Sequence, residues 1–309
     1  MAGSKNDKAA VIEDERKPVD PTSEAPPPFV FGISDLEGDA DLDIGVPSFA
    51  RRQAAGPVLE GVNLAGRPKI ILLAGRGKTG KTTAIRWMAE RALADKRALL
   101  MGDLDPTNAS FSTYFQGVHR PVDADSPAIM LKWLEQFLSH AIRHRQTAVV
   151  DLGGGDTTLP RLVDELPELT QMASDEGSAV VMFYHLGPQV DDLSPVATME
   201  ERGFQPEATA IVMNEAGVDP GLTREQAFAR IHKHRVFRAV VERGAVPVCM
   251  PRLLVADAIE ARRLHFLPAR DGAIGPDGKP ALGAFDRARV RSWLTAMDEQ
   301  FAGVRTWLP

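Results

Sequence analysis

The sequence predicts an α/β domain, a doubly wound and mostly parallel sheet with helices on both faces, behind a disordered N-terminal tail. Three observations predict it. Six near-continuously apolar runs recur from Lys69 onward, at 70–73, 98–101, 148–150, 179–184, 210–213 and 246–250, as strands buried on both faces do. Stretches with apolar residues at helical spacing lie between them, such as Met130, Trp133, Leu134, Phe137, Leu138 and Ala141. A glycine-rich run, Gly75-Arg76-Gly77-Lys78-Thr79-Gly80-Lys81-Thr82-Thr83, joins the first strand to the first helix.

Residues 1–66 read as the tail. They carry Pro18, Pro21, Pro26, Pro27 and Pro28, many charges and few residues worth burying. An apolar island, Phe29-Val30-Phe31-Gly32-Ile33, precedes Asp35, Glu37, Asp39, Asp41 and Asp43 interleaved with Leu36, Leu42 and Ile44. This alternation reads either as a docking motif for a protein partner or as a solvated linker. The tail is expected to be dispensable for folding. It holds 12 acids against 6 bases, the whole of the net charge of −6, so the domain from residue 67 to 309 is neutral. Overall charge therefore says little about what the folded part binds.

The domain's elements follow in order. Residues 69–74 form the first strand and 84–95 a helix. The second strand runs into Gly102-Asp103-Leu104-Asp105-Pro106, and the third into Asp151-Leu152-Gly153-Gly154-Gly155-Asp156. Residues 270–282 are rich in glycine and proline and read as a loop. Val290, Trp293, Leu294, Met297 and Phe301 mark the last helix, with Asp286 as its N-cap. The single cysteine, Cys249, excludes an intramolecular disulfide and fits a reducing compartment. No segment has the apolar core of a signal peptide or the length of a membrane span, so a cytoplasmic protein is expected.

The glycine-rich run carries the chemistry. A strand, a turn rich in glycine, Lys-Thr and a helix together cradle phosphate oxygens with backbone N–H groups and a helix N-terminus. Lys81 supplies a charge to the β- and γ-phosphates of a nucleoside triphosphate, and the Thr82 hydroxyl suits Mg2+. The bland alternative, a strand-to-helix connection with a solvated lysine, gives no reason for three glycines, two lysines and three threonines in nine residues. Asp103 and Asp105 lie just past a strand end, where carboxylates suit metal coordination and water positioning or simply stop a strand. Asp151, an acid after an apolar strand, suits a reach to Mg2+.

Through these residues the chain resembles the ParA/MinD family of P-loop ATPases over roughly residues 69–267. Arg76-Gly77-Lys78-Thr79-Gly80-Lys81-Thr82-Thr83 takes the place of the family's Lys-Gly-Gly-x-Gly-Lys-Thr-Thr. Ala98-Leu99-Leu100-Met101-Gly102-Asp103-Leu104-Asp105-Pro106-Thr107-Asn108 resembles its second-strand motif. Ile211-Val212-Met213-Asn214 resembles the strand whose Asn reads the base, and Cys249-Met250-Pro251 with Ala256-Asp257-Ala258 its last strand and turn.

The resemblance implies ATP and Mg2+ as cofactors, with Gly75, Gly77, Lys78, Thr79, Gly80, Lys81, Thr82 and Thr83 around the phosphates. It implies that Thr82 and Asp151 serve the metal with Asp103 beside them, that Asp105 orients the attacking water, and that Asn214 and Pro251 flank adenine. It implies an ATP-dependent homodimer in which a signature lysine reaches the partner's nucleotide. Here that position is Arg76, and the family's second glycine is Lys78. The implied function is a slow, partner-stimulated ATPase switch for plasmid partition, mobilisation or intracellular positioning. The rival reading is an ATP-dependent carboxylase or amidoligase-like enzyme on the same fold, and a third is a nucleotide-binding scaffold without turnover.

One segment stands apart. Arg230, Lys233, Arg235 and Arg238, followed later by Arg262 and Arg263, concentrate positive charge on a neutral domain. They read as a nonspecific DNA-binding surface or as solvated helix faces.

Overall fold

A computed structural model describes residues 59–105, 110–123, 125–275 and 278–309. Each of the six apolar runs marks a strand, β1 (Lys69–Gly75), β2 (Leu100–Asp103), β4 (Ala148–Asp151), β5 (Ala179–Leu186), β6 (Ala208–Asn214) and β7 (Val246–Met250), with β2 starting two residues later than the run at 98–101. A short seventh, β3 (Val118–His119), has no apolar run to announce it. They make one parallel sheet in the order β3-β2-β4-β1-β5-β6-β7. From β1 the chain moves to β2 and β3, returns to β4 beside β1, then passes to the other side for β5, β6 and β7. The loop after β1 thus sits where the winding reverses, the place at which open α/β sheets bind ligands.

The helices are α1 (Lys81–Ala94), α2 (Ser110–Tyr114), α3 (Pro127–Arg143), α4 (Thr158–Glu165), α5 (Leu169–Asp175), α6 (Ser194–Glu201), α7 (Arg224–Lys233), α8 (Arg235–Glu242), α9 (Ala256–Ala261), α10 (Phe266–Asp271) and α11 (Ala284–Gln300). They cover both faces, and β1 shows how. Ile70, Leu72 and Ala74 face one core, with Leu134 of α3, Leu162 of α4, Val196 of α6, Phe228 of α7 and Phe237 of α8. Ile71 and Leu73 face the other, with Ile85 and Trp87 of α1, Ile259 of α9, Phe266 of α10 and Trp293 of α11. Period-two alternation with both phases apolar gives the unbroken hydrophobic run seen in the sequence.

Local signals place several helix ends. Ser126 Oγ accepts the Ile129 N–H at 3.4 Å with Pro127 opening α3. Thr223 and Gln226 form a reciprocal capping box on α7. The last helix differs from expectation. It starts after Gly283, and Asp286 lies in its first turn, paired with Arg289 at 2.6 Å rather than capping. Within the loop expected at 270–282, an isolated antiparallel bridge joins Ile274 to Pro280.

Residues 59–66, counted with the tail by composition, are part of the packed chain. The Gly61 N–H donates to Gly303 O at 2.9 Å, the Leu64 N–H to Thr306 Oγ1 at 3.1 Å, and the Trp307 indole N–H to Val62 O at 2.7 Å. Leu64 and Trp307 are both buried in the core behind α1. A side chain at Gly61 would collide with the Trp307 ring. One leucine and backbone hydrogen bonds hold this clasp, which hydropathy alone does not register. The island at 29–44 lies outside the described residues, as do Pro106, Thr107 and Asn108. No helix among the described residues is long and apolar enough to cross a membrane.

Candidate nucleotide-binding site

The turn between β1 and α1 wraps a cleft of about 750 Å3 at the carboxyl edge of the sheet. Its backbone explains its composition. Gly75 has φ 154° and lies against the His185 carbonyl of β5, with Thr79 Oγ1 2.8 Å from where a Cβ would sit. Gly80, the N-cap of α1, has φ 90° and faces the Asn214 side chain. Lys78, where the resembled family has glycine, holds the left-handed region at φ 67°. The cost of a Cβ there is modest, and the side chain opens onto the cleft.

Lys81 is buried. Its Nζ donates to Gly75 O at 2.9 Å and Arg76 O at 3.2 Å. Burial lowers its pKa, while Asp151, Asp105 and Asp156 pull the other way. The Thr82 hydroxyl donates to Asp151 Oδ2 at 3.0 Å. Asp151 ends β4 in register with Asp103 of β2 and Leu73 of β1. Burial pushes its carboxyl up to about 7, with Lys81 opposing and Asp103 adding to the rise. Its Oδ1 is buried with no protein partner. Lys81 and Thr82 at the start of α1 thus meet Asp151, 69 residues beyond Thr82 in the chain.

Other expected residues fall out differently. Asp103 is fully buried, and both its oxygens take backbone N–H groups, Oδ1 from Asp105 at 3.0 Å and Oδ2 from Ser112 at 3.1 Å. These two bonds fasten α2 and Asp105 to the end of β2. Asp105 itself lines the cleft. Asn214 spends its amide on the loop: Nδ2 donates to Thr79 O at 3.0 Å and Oδ1 accepts the Ala216 N–H at 3.0 Å. It still lines the cleft, with Ala216, Met250, Pro251 and Leu253 beside it. Thr83 lines it too. Arg76 is half exposed, with Nη1 3.8 Å from carboxylates of both Asp191 and Asp192. The glycine run after β4 touches the phosphate loop: a Cβ on Gly154 would lie 2.8 Å from Gly77 N.

The expected basic surface divides. Arg230, Lys233, Arg235 and Arg238 are exposed on α7 and α8, in the layer over one face of the sheet. Arg262 and Arg263 follow α9, which packs on the other face. Arg263 lines the nucleotide cleft with Glu260, and Arg262 Nη1 donates to Ala258 O at 3.2 Å. Cys249 is buried in β7, where burial raises its thiol to about 11.

Sequence reasoning missed Arg86, Tyr114 and Glu260 on the cleft wall, and His185 beneath the loop. Arg86 was within reach, since it stands three residues beyond Thr83 on one helix face. His185 hid in an apolar strand. It is fully buried with neither ring nitrogen bonded, and burial, then Lys81, lowers it to about 3.

A strand-loop-helix with Gly-x-x-x-x-Gly-Lys-Thr at the winding reversal of a parallel sheet, and an acid from the neighbouring strand on its Thr, defines a P-loop fold. No family model matches the chain, and no curated protein does. Among solved structures it is similar to chloroplast FtsY from Physcomitrella patens, at 15% identity and TM-score 0.38, covering 75% of this chain and 65% of that one. It is also similar to the signal recognition particle receptor FtsY from Elizabethkingia anophelis in complex with GDP, at 14% identity and TM-score 0.40, covering 63% and 61%. The chain thus spans less than two thirds of either protein.

Proposed function

We propose that this protein is an ATP-binding and ATP-hydrolysing switch that works with Mg2+, as a nucleotide-dependent homodimer, in plasmid partition, mobilisation or positioning of another intracellular cargo. One observation carries the hydrolytic core of this reading. The Thr82 hydroxyl meets the Asp151 carboxylate at 3.0 Å beside the buried Lys81 ammonium, at the end of the central strands.

The residues fit Mg2+. Asp151 has a buried oxygen without a protein partner, and the Thr82 hydroxyl lies against its other oxygen. Among the described residues no cluster of three or more His, Cys, Asp or Glu forms a self-sufficient metal cage. That suits an ion held by few side chains together with phosphate oxygens and water. Bound there, Mg2+ supplies neutralisation of charge on the transferring phosphoryl group. Lys81 supplies the fixed cation inside the loop, and the loop N–H groups hold phosphate oxygens. Asp105 orients the attacking water. Met250, Pro251 and Leu253 offer an apolar wall to the flat face of a base, and Asn214 reads adenine with the N–H and lone pairs its bonds to the loop leave over. Arg76 reaches the partner's nucleotide, leaving its long contacts with Asp191 and Asp192. Arg230, Lys233, Arg235 and Arg238 meet DNA, and the island at 29–44 meets a protein partner.

A second reading, ATP-dependent group transfer to an acceptor, draws on a cavity of about 400 Å3 between α4 and α6. Gly153, Gly155 and Asp156 line it, so it adjoins the same glycine run that packs on the phosphate loop.

Calorimetry with ATP·Mg2+ and with GTP·Mg2+ tests the core reading. Wild type is expected to bind ATP more tightly than GTP, and Lys81→Ala to lose most of that affinity. Unchanged affinity in Lys81→Ala sinks the phosphate-loop assignment, and a preference for GTP sinks the role given to Asn214. Turnover that needs a small acceptor rather than DNA or a protein partner favours the second reading.

A further inference from the structure

Arg86 is a cation in an unusual setting. It lines the nucleotide cleft yet is only 2% exposed. Its guanidinium carbon lies 3.4 Å from the Tyr114 ring centroid and 4.5 Å from that of Phe266. Nη2 donates to Leu264 O at 2.8 Å, while Nε is buried with no partner. Burial works against its charge, and Tyr114, Glu90 and Glu260 offset part of that. A buried charge is costly to keep unless it is paired and hydrogen-bonded. A flat guanidinium stacks between rings, and a lysine ammonium does not.

Tyr114 ends α2, and α2 leads back to the catalytic end of the sheet. The Ser112 N–H donates to Asp103 Oδ2, and Asp103 Oδ1 takes the Asp105 N–H. Arg86, Tyr114, Ser112, Asp103 and Asp105 thus form one chain of contacts from α1 to the carboxylate assigned to the water. Both ends line the same cleft, and Arg86 shares α1 with Lys81 and Thr82.

We propose that Arg86 is a positioning residue that, by stacking on Tyr114, holds α2 so that Asp103 fixes Asp105 over the phosphate site. The role rests on Asp105 being the residue that orients the attacking water. Displacing a catalytic group by about 1 Å costs on the order of 10²-fold in rate without a matching loss of binding.

The test uses the full chain with Arg86→Lys, Tyr114→Ala and Tyr114→Phe. It measures ATP turnover, ATP affinity by calorimetry, and amide hydrogen exchange at Ser112 and Asp105. Arg86→Lys and Tyr114→Ala are expected to lose on the order of 10²-fold in turnover, with affinity within a few-fold of wild type and faster exchange at both amides. Tyr114→Phe, which keeps the ring but loses the hydroxyl that helps offset the burial of Arg86, is expected to stay closer to wild type than Tyr114→Ala in all three. Unchanged exchange in folded Tyr114→Ala overturns the proposal, as does a loss of affinity equal to the loss of turnover. If Arg86→Lys does not fold, the Tyr114 pair decides. If wild type shows no turnover, the hydrolytic reading fails separately, and the exchange measurement alone carries or overturns the hold of Arg86 on α2.

Discussion

The phosphate-loop end of the sheet and the basic surface of α7 and α8 are marked by equally dense runs of sequence, and they fold to opposite effect. At the loop, residues from 77 to 263 converge on one cleft. At the basic segment, six cations split between two layers, and one of them, Arg263, joins the nucleotide cleft. The difference lies in what the runs encode. A phosphate loop is a backbone conformation, set by Gly75 and Gly80 at φ values other residues avoid, so its sequence dictates its geometry. A charge run dictates only exposure.

The largest effect that can break this contrast is kinetic. Asp105→Ala is expected to bind ATP yet hydrolyse it about 10²–10⁴-fold more slowly, the usual contribution of one placed acid or base. Single-turnover assays with matched calorimetry check it, and wild-type turnover removes Asp105 from the site.

Next comes the domain's beginning. Removing residues 1–58 is expected to leave stability and ATP binding unchanged. Extending the deletion to residue 65 strips Leu64 and the clasp from the core, at a cost of about 2–5 kcal/mol, the range for losing one large buried side chain. Urea denaturation of the two truncations separates them. Equal midpoints would return residues 59–65 to the tail.

A smaller effect tests the ground under the loop. His185 titrates at about 3 in the folded chain against 6.5 for an ordinary histidine. Its folded value is depressed, so its contribution to stability is present above pH 6.5 and lost as pH falls toward 3. His185→Leu is expected to flatten the decline of Tm across that window. An unchanged slope would mean the imidazole finds a partner on protonation.

The smallest effect sharpens the basic side. For every DNA phosphate that Arg235→Glu/Arg238→Glu no longer neutralises, the slope of log affinity against log salt is expected to fall by about 1. Arg263→Glu is expected to leave that slope alone and weaken ATP binding instead. Salt titrations on two unrelated duplexes, with ATP and with ADP, distinguish them. Equal binding by the double variant would leave α7 and α8 as solvated faces.

Much of this fold was legible. Strands buried on both faces are apolar in both phases, so six of the seven strands announced themselves, while two-residue β3 had no room for a pattern. The meeting of Lys81, Thr82 and Asp151 was legible because each belongs to a motif whose neighbours are fixed by the sheet. Asp103 and Asn214 were read for chemistry and turned out to be bonded to backbone, because short polar side chains at strand ends are claimed first by nearby N–H and C=O groups. The pairing of Arg86 with Tyr114 was not legible. Their contact crosses from one helix to another, and no spacing along either encodes it.

The clasp between Val62 and Trp307 joins residues 245 apart in the chain. Contacts of such separation are closed late, since the loop they span must first be ordered. As the polypeptide leaves the ribosome, Leu64 waits for nearly the entire domain before its pocket exists. Until residues 301–307 arrive, Trp87 and Phe183 lack the Phe301 and Trp307 rings that cover them in the finished fold. The nascent protein therefore carries an open aromatic seam until those residues emerge, and Phe301 and Trp307 are the ones that seal it.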